Sequence, residues 1–208
     1  YAHWTLGGYS LICHLDGGSV SQANPTSYTV ETETFTLNNP AKEGYTFIGW
    51  SGTGLTGEAN QSVTVAKGST GNREYTAHWK INAYTITFDT AGGSAVAPIT
   101  QDYGTSVIAP ADPSLTGHTF VKWDPEVPAA MPAESMVCVA RWSVNLHTVT
   151  YLVDGAEYKV IADVGYGTSL SPLDTPVKTG YTFSGWTGLP EKMPDNDITV
   201  TGAFAANH

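Results

Sequence analysis

Basic side chains are scarce. Nine Lys and Arg stand against nineteen Asp and Glu in 208 residues, a formal net charge of −10, and the basic residues form no cluster. Nucleic acid, heparin-like polymers and anionic lipid are held mainly by Lys and Arg, so these partner classes are excluded. Long apolar runs are missing too: no stretch of about 18 apolar residues occurs, and no membrane-inserted segment is expected. A 3.6-residue apolar period is not sustained over even about ten residues, so little helix is expected. Cysteine appears twice, at Cys13 and Cys138. Both stand in slots that other parts of the chain fill with core hydrophobes, and both are read as reduced and buried. A disulfide would need their Cα atoms within about 7 Å across different repeats.

What the sequence does contain is repetition. The string G-Y/H-T-F-x-x-W occurs at Gly44 to Trp50, Gly117 to Trp123 and Gly180 to Trp186, each time with a proline four residues ahead of the glycine (Pro40, Pro113, Pro176). A closing alternating run ends on Trp79, Trp142 or Phe204. An opening run, Tyr9 to Cys13, Tyr84 to Phe88 or His147 to Tyr151, leads into Asp16-Gly17-Gly18, Gly92-Gly93 or Asp154-Gly155. A fixed period of this kind defines the architecture. The alternation of Tyr84, Ile86 and Phe88 with threonines and Asp89 is that of a half-buried strand, and Met136, Cys138, Ala140 and Trp142 repeat the pattern. A weaker run through Val96 to Ile99 leads to Asp102-Tyr103-Gly104-Thr105, which is echoed at Gly165-Tyr166-Gly167-Thr168.

These features delimit a first repeat at 9–79, a second at 84–142 and a third at 147–204. Residues 1–8, with Ala2-His3-Trp4 matching Ala77-His78-Trp79, read as the end of a preceding copy. The first repeat is longer because of the polar, glycine-rich stretch 51–72, read as a lengthened surface loop. Four-residue connectors, Lys80 to Ala83 and Ser143 to Leu146, span only about 13 Å and predict an array whose members cannot tumble independently.

The strand ending in Gly-Gly, the P-x-x-x-G-Y-T-F-x-G-W string around Pro176 and Gly180 to Trp186, and the closing M-P…A-x-W of Met131-Pro132, Ala140 and Trp142 resemble the Listeria/Bacteroides repeat, or internalin B-repeat. The resemblance covers nearly all of residues 9–204. It implies a mainly β chain of tandem, small, β-grasp-like domains with little helix, arranged as an elongated array on secreted or wall-attached bacterial proteins. Such repeats serve as spacers or modest protein-interaction modules.

Sites with chemistry are few. Gly52-Thr53-Gly54-Leu55-Thr56-Gly57 matches the dinucleotide fingerprint in form, but the following Glu58 to Val65 reads as strand rather than helix, so no cofactor is expected. Among six histidines no H-x-H or H-x-x-x-H pair occurs, and His3 and His78 read as solvated. Asp195-Asn196-Asp197 suggests calcium in outline but lacks the glycine and late glutamate of a calcium loop, and reads as a turn. No metal is expected. Gly167 to Ser171 is not a nucleophile elbow, and no catalytic residue is assigned. Trp50, Trp123 and Trp186 read either as core or as sugar-stacking platforms.

The reading is therefore a non-enzymatic spacer segment of a bacterial cell-surface or secreted protein, extracellular and monomeric, whose partners are host or bacterial surface proteins or glycans. The alternative is an adhesin or carbohydrate-binding module that uses the first-repeat loop or exposed aromatics. No ligand-binding residue is specified.

Overall fold

The computed structural model describes residues 7–207, so the expected match of residues 1–6 to a preceding copy lies outside it. Among the described residues there is no helix, and the structure is mainly β. Its contacts form two compact units. One holds residues up to 86 together with 99–108 and 128–136; the other holds 87–98, 109–127 and 137–208. The division runs through the second repeat.

In the first unit, β1 (Tyr9–His14) pairs antiparallel with β2 (Ser27–Tyr28) and parallel with β6 (Arg73–Ile81), and β6 pairs antiparallel with β4 (Tyr45–Gly52). The sheet order is β2-β1-β6-β4, while β3 (Phe35–Thr36) pairs with β5 (Thr64–Val65) in a separate ribbon. The parallel central pair requires a long crossover, and here that crossover contains β4 and no helix. The core gathers Leu11, Tyr28, Leu37, Trp50, Val63, Val65, Tyr75 and Ala77. This corrects the expectation of a plain surface loop at 51–72. Val63 and Val65 are each only 2% exposed; the β3–β5 ribbon, with the Leu37 N–H donating to Val63 O beside it (2.9 Å), places them in the core around Trp50. Polar composition hid a two-residue strand too short for alternation to reveal.

The first unit also carries the pairing of β7 (Ala83–Asp89) with β8 (Ile99–Asp102), from Ala83↔Asp102 to Ile86↔Ile99. The expected run at 96–98 is not strand; pairing starts at Ile99.

In the second unit, β9 (His118–Asp124) pairs antiparallel with β10 (Met136–Val144). There β11 (Leu146–Val153) is flanked by antiparallel β12 (Ala156–Gly165) and parallel β14 (Ile198–Gly202), and β13 (Tyr181–Phe183) pairs with β15 (Phe204–Ala206). Val149, Tyr151, Met193 and Val200 form the core of this last repeat. By strand register Val149 occupies the place of Leu11, and Tyr151 that of Cys13.

The spacing of the F-x-x-W motif has a structural cause. On a regular strand, residues three apart point to opposite faces. A bulge inserts one extra residue and restores a shared face. Register shifts fall between Phe47 and Gly49 on β4, and opposite the Phe120-to-Lys122 segment of β9. Phe47 thus meets both Trp50 (5.5 Å between ring centroids) and Trp79 (5.6 Å), and Phe120 meets Trp123 (5.3 Å) and Trp142 (5.6 Å). In the third repeat Phe183 meets Trp186 (4.9 Å) and Phe204 (5.4 Å). Edge-to-face and tilted aromatic pairs contribute about 0.5–1.5 kcal/mol each beyond area burial.

The closing aromatic is matched to its turn. A Cβ on Gly18 would lie 2.5 Å from Trp79, and one on Gly93 2.6 Å from Trp142. The indole N–H groups donate to Leu15 O (3.1 Å) and Thr90 O (3.0 Å) of the same turns. In the third repeat the smaller Phe204 replaces tryptophan, and the position after Asp154-Gly155 is Ala156.

Candidate functional site

The two connectors expected to span four residues are almost entirely strand. Strand β6 runs to Ile81 and β7 starts at Ala83; β10 runs to Val144 and β11 starts at Leu146. One asparagine remains at each joint. The Asn82 N–H donates to Gly44 O (2.9 Å), its Oδ1 accepts from Thr46 Oγ1 (2.6 Å), and its carbonyl accepts from Tyr103 N–H (2.9 Å). Asn145 repeats the set with Gly117 O (2.8 Å), Thr119 Oγ1 (2.7 Å) and Tyr166 N–H (2.9 Å).

The glycines of the G-Y/H-T-F motif complete each joint. Gly44 and Gly117 sit at the third position of β-turns with φ of 75° and 71°, where L side chains are disfavoured. Each lies buried beneath a tyrosine from the following repeat. A Cβ on Gly44 would lie 2.0 Å from the Tyr103 ring, and one on Gly117 2.0 Å from the Tyr166 ring, a collision in both cases. Those tyrosines belong to the echoed Y-G-T turns. Their turns are anchored in turn, Gly104 N–H donating to Met131 O (2.9 Å) and Gly167 N–H to Met193 O (2.8 Å). The first joint lies wholly in the first unit and the second wholly in the second.

The second joint has an added acidic latch. Asp195 accepts hydrogen bonds from Gly117 N–H (2.9 Å) and Asn145 Nδ2 (2.9 Å), and His147 Nε2 lies 2.9 Å from its Oδ1. Asp197 accepts from Thr148 N–H (2.7 Å). The bonds from Asn145, then from His147 and Gly117, hold the Asp195 carboxyl below the usual carboxylate range. Asp195-Asn196-Asp197, read from the sequence as a turn, lies on a bend before β14 whose carboxylates fasten neighbouring backbone. No group of three or more His, Cys, Asp or Glu that could hold a metal occurs among the described residues.

The remaining candidates fall elsewhere. Of the glycines of the 52–57 stretch, Gly52 ends β4 while Gly54 and Gly57 lie in the turn and bend that follow, with no helix after them. His78, expected to be solvated, is half-buried: its Nε2 lies 2.6 Å from Ser51 Oγ, and Glu58 is 3.7 Å away. The register of β4 on β6 brings Ser51 beside it, which alternation alone does not reveal. His3 lies outside the described residues. A groove of about 640 Å³ is lined by Asp112, Ser114 and His118 among others. The three do not form a relay: His118 Nδ1 faces Thr116 O (3.0 Å), and Ser114 N–H donates to Ser94 Oγ (2.9 Å).

Trp50 and Trp123 are buried in the sheets, and Trp186 is half-buried, with its indole N–H on Leu173 O (2.9 Å). Large exposed aromatics among the described residues are Tyr158 and Tyr181, and Tyr158 already leans on Trp186 (5.7 Å). Cys138 is fully buried, whereas Cys13 is half-buried and borders a groove with Val20 and Ala23, a correction to its reading as core. Both thiols are free, and burial raises both above the usual thiol pKa.

Fold and joints define a mainly β chain of tandem repeats that clasp one another. Residues 84–126 and 147–202 match the Listeria-Bacteroides repeat domain, and residues 12–83 match the divergent InlB B-repeat domain. The chain belongs to this repeat family, which is typical of bacterial surface proteins such as internalins. It is 30% identical to a protein of Evansella cellulosilytica named "Putative membrane protein", over 89% of this chain and 29% of that one. It is 31% identical to internalin H of Listeria monocytogenes, over 60% of this chain and 26% of that one. The chain thus spans less than a third of either relative. Among its described residues no helix is long and apolar enough to cross a membrane.

Proposed function

We propose that this chain is a non-enzymatic spacer of a bacterial cell-surface protein, exposed outside the cell and holding other domains of its parent away from the surface. Its working parts are three β-grasp-like domains at 9–79, 84–142 and 147–204. The clasped one-residue joints at Asn82 and Asn145 carry the proposal, because a joint bonded on both sides has little freedom to hinge. Any partners are surface proteins or glycans met by the display, and recognition belongs to the rest of the parent protein.

Small-angle scattering tests the spacer directly. Three domains of this size in a row are expected to give a maximum dimension roughly twice that of a globular protein of equal mass. A spherical profile would overturn the proposal. The domain assignment has its own test in the isolated fragment 84–142. It is expected to fold, but less stably than within the chain, because Tyr103 then loses Gly44 and Gly117 loses Tyr166. A random-coil spectrum would replace separate domains by one interwoven fold.

A further inference from the structure

The third repeat presents the same half of the clasp, and here it faces solvent. Gly180 has φ of 80°, and its turn is closed by Tyr181 N–H donating to Lys178 O (3.0 Å). Asn207 N–H donates to Gly180 O (2.9 Å), and Thr182 Oγ1 donates to Asn207 Oδ1 (2.7 Å). Each of these bonds reproduces one at Asn82 and Asn145. What differs is the cover. Gly44 and Gly117 are buried, whereas Gly180 is exposed with no described atom near a Cβ position, and Asn207 is exposed where Asn82 and Asn145 are half-buried. Tyr181 is 41% exposed, while its counterparts Tyr45 and His118 stand edge-on to Tyr103 and Tyr166, at 6.1 Å in both joints.

We propose that the Gly180–Tyr181–Asn207 edge is a docking seat for the Tyr-Gly-Thr turn of a further repeat of this family, joined in cis directly after Asn207. The tyrosine ring lies on Gly180, and its N–H bonds the Asn207 carbonyl. Two observations select this occupant. The seat already holds the hydrogen-bonded form that it has when filled in the two earlier joints, so little ordering remains to oppose binding. A second copy of the chain is a poor source, because Tyr103 and Tyr166 are already engaged. By the register of β1 on β2, the first repeat has Val30 in the tyrosine slot. A covalent joint also raises the effective concentration of the turn. The inference rests on the tandem reading above, but its test reads one glycine and not particle shape, so the two can fail separately.

The test is NMR on the labelled full chain, with and without a copy of residues 146–207 appended after Asn207. A ring stacked on a glycine shifts its Hα resonance upfield. Gly44 and Gly117 are expected to show that shift in the unextended chain and Gly180 is not, and Tyr166→Leu should release Gly117. In the extended chain Gly180 should move upfield, and the Asn207 amide should exchange more slowly. Both changes should vanish when the tyrosine of the appended turn is leucine. A folded appended repeat that leaves Gly180 unmoved overturns the proposal. So does a Gly180 shift that appears in the unextended chain with rising concentration, since the occupant is then a second copy. Residues 83–144 serve as a second appended repeat, and failure of both to fold behind Asn207 also counts against the seat.

Discussion

The two joints of this chain are built on one plan and fastened differently. At the first, Gly44 is pinned between Asn82 and Tyr103; at the second, Gly117 has the equivalent pair, Asn145 and Tyr166, and its N–H is also held by Asp195. The position of Asp195 is filled by Ala133 in the second repeat, counting from Met131-Pro132 and Met193-Pro194. The reason lies across the groove. Ala133 shares a surface hollow with Glu43 and Glu134, whereas the residue before Gly117 is the neutral Thr116. An aspartate at the first joint would meet like charge. The repeat motif thus supplies the clasp at both joints, while Asp195, beside the neutral Thr116, reinforces the second.

The largest expected effect separates covered from uncovered glycines. Gly44→Ala and Gly117→Ala combine an unfavourable φ with a collision against a tyrosine ring, and each should cost about 2–4 kcal/mol. Gly180→Ala meets only the backbone penalty, about 1 kcal/mol. Urea unfolding followed by repeat-specific NMR signals measures all three, and equal costs would show that the tyrosine cover is not what distinguishes them.

Tyr103→Ala and Tyr166→Ala should each lose about 1–2 kcal/mol of apolar burial. Amide exchange then distinguishes the joints. Gly117 N–H keeps its bond to Asp195 when Tyr166 is removed, so its protection should persist, while the Asn82 bond to Gly44 opens more readily after Tyr103→Ala.

The acid response is smaller and sharper. Asp195 is depressed in the folded chain, so its contribution is complete above the ordinary carboxylate range, near pH 4, and is lost as the pH falls through the lower folded value. Gly117 amide exchange, corrected for intrinsic pH dependence, should accelerate across that acid window. Asp195→Ala should abolish this step and leave Gly44 unaffected. A step that survives Asp195→Ala would assign the titration to another group.

The smallest effect is a transplant. Ala133→Asp alone should change stability by no more than about 0.5 kcal/mol, because Glu43 opposes it. Glu43→Thr with Ala133→Asp should slow Gly44 amide exchange beyond either single change. Additive behaviour would mean that the charge of Glu43 does not control the latch.

Much of this architecture is legible in the residues. Alternation in Tyr84 to Phe88 and Met136 to Trp142 marks β7 and β10, and the threefold string marks the repeats. The F-x-x-W interval also encodes the bulge, because no regular strand puts Phe47 and Trp50 on one face. Of the clasp the sequence carries only an echo, Tyr103-Gly104-Thr105 and Tyr166-Gly167-Thr168. Its partner glycines lie in the preceding repeat, and no local pattern links them. Ribbon β3–β5 leaves no mark in the sequence because two-residue strands carry no period, and the burial of Val63 and Val65 depends on a distant Trp50. The link from Asp195 to Gly117 depends on long-range placement in the same way.

The second and third repeats each carry both halves of a clasp, the tyrosine turn first and the glycine turn after it. An unequal exchange between aligned repeats in the gene would therefore leave a matched pair at the new joint, with no interface to be evolved afresh. Length in such a protein can then change by whole repeats at the level of heredity. Selection could tune reach by copy number, much as one lengthens a chain by adding identical links.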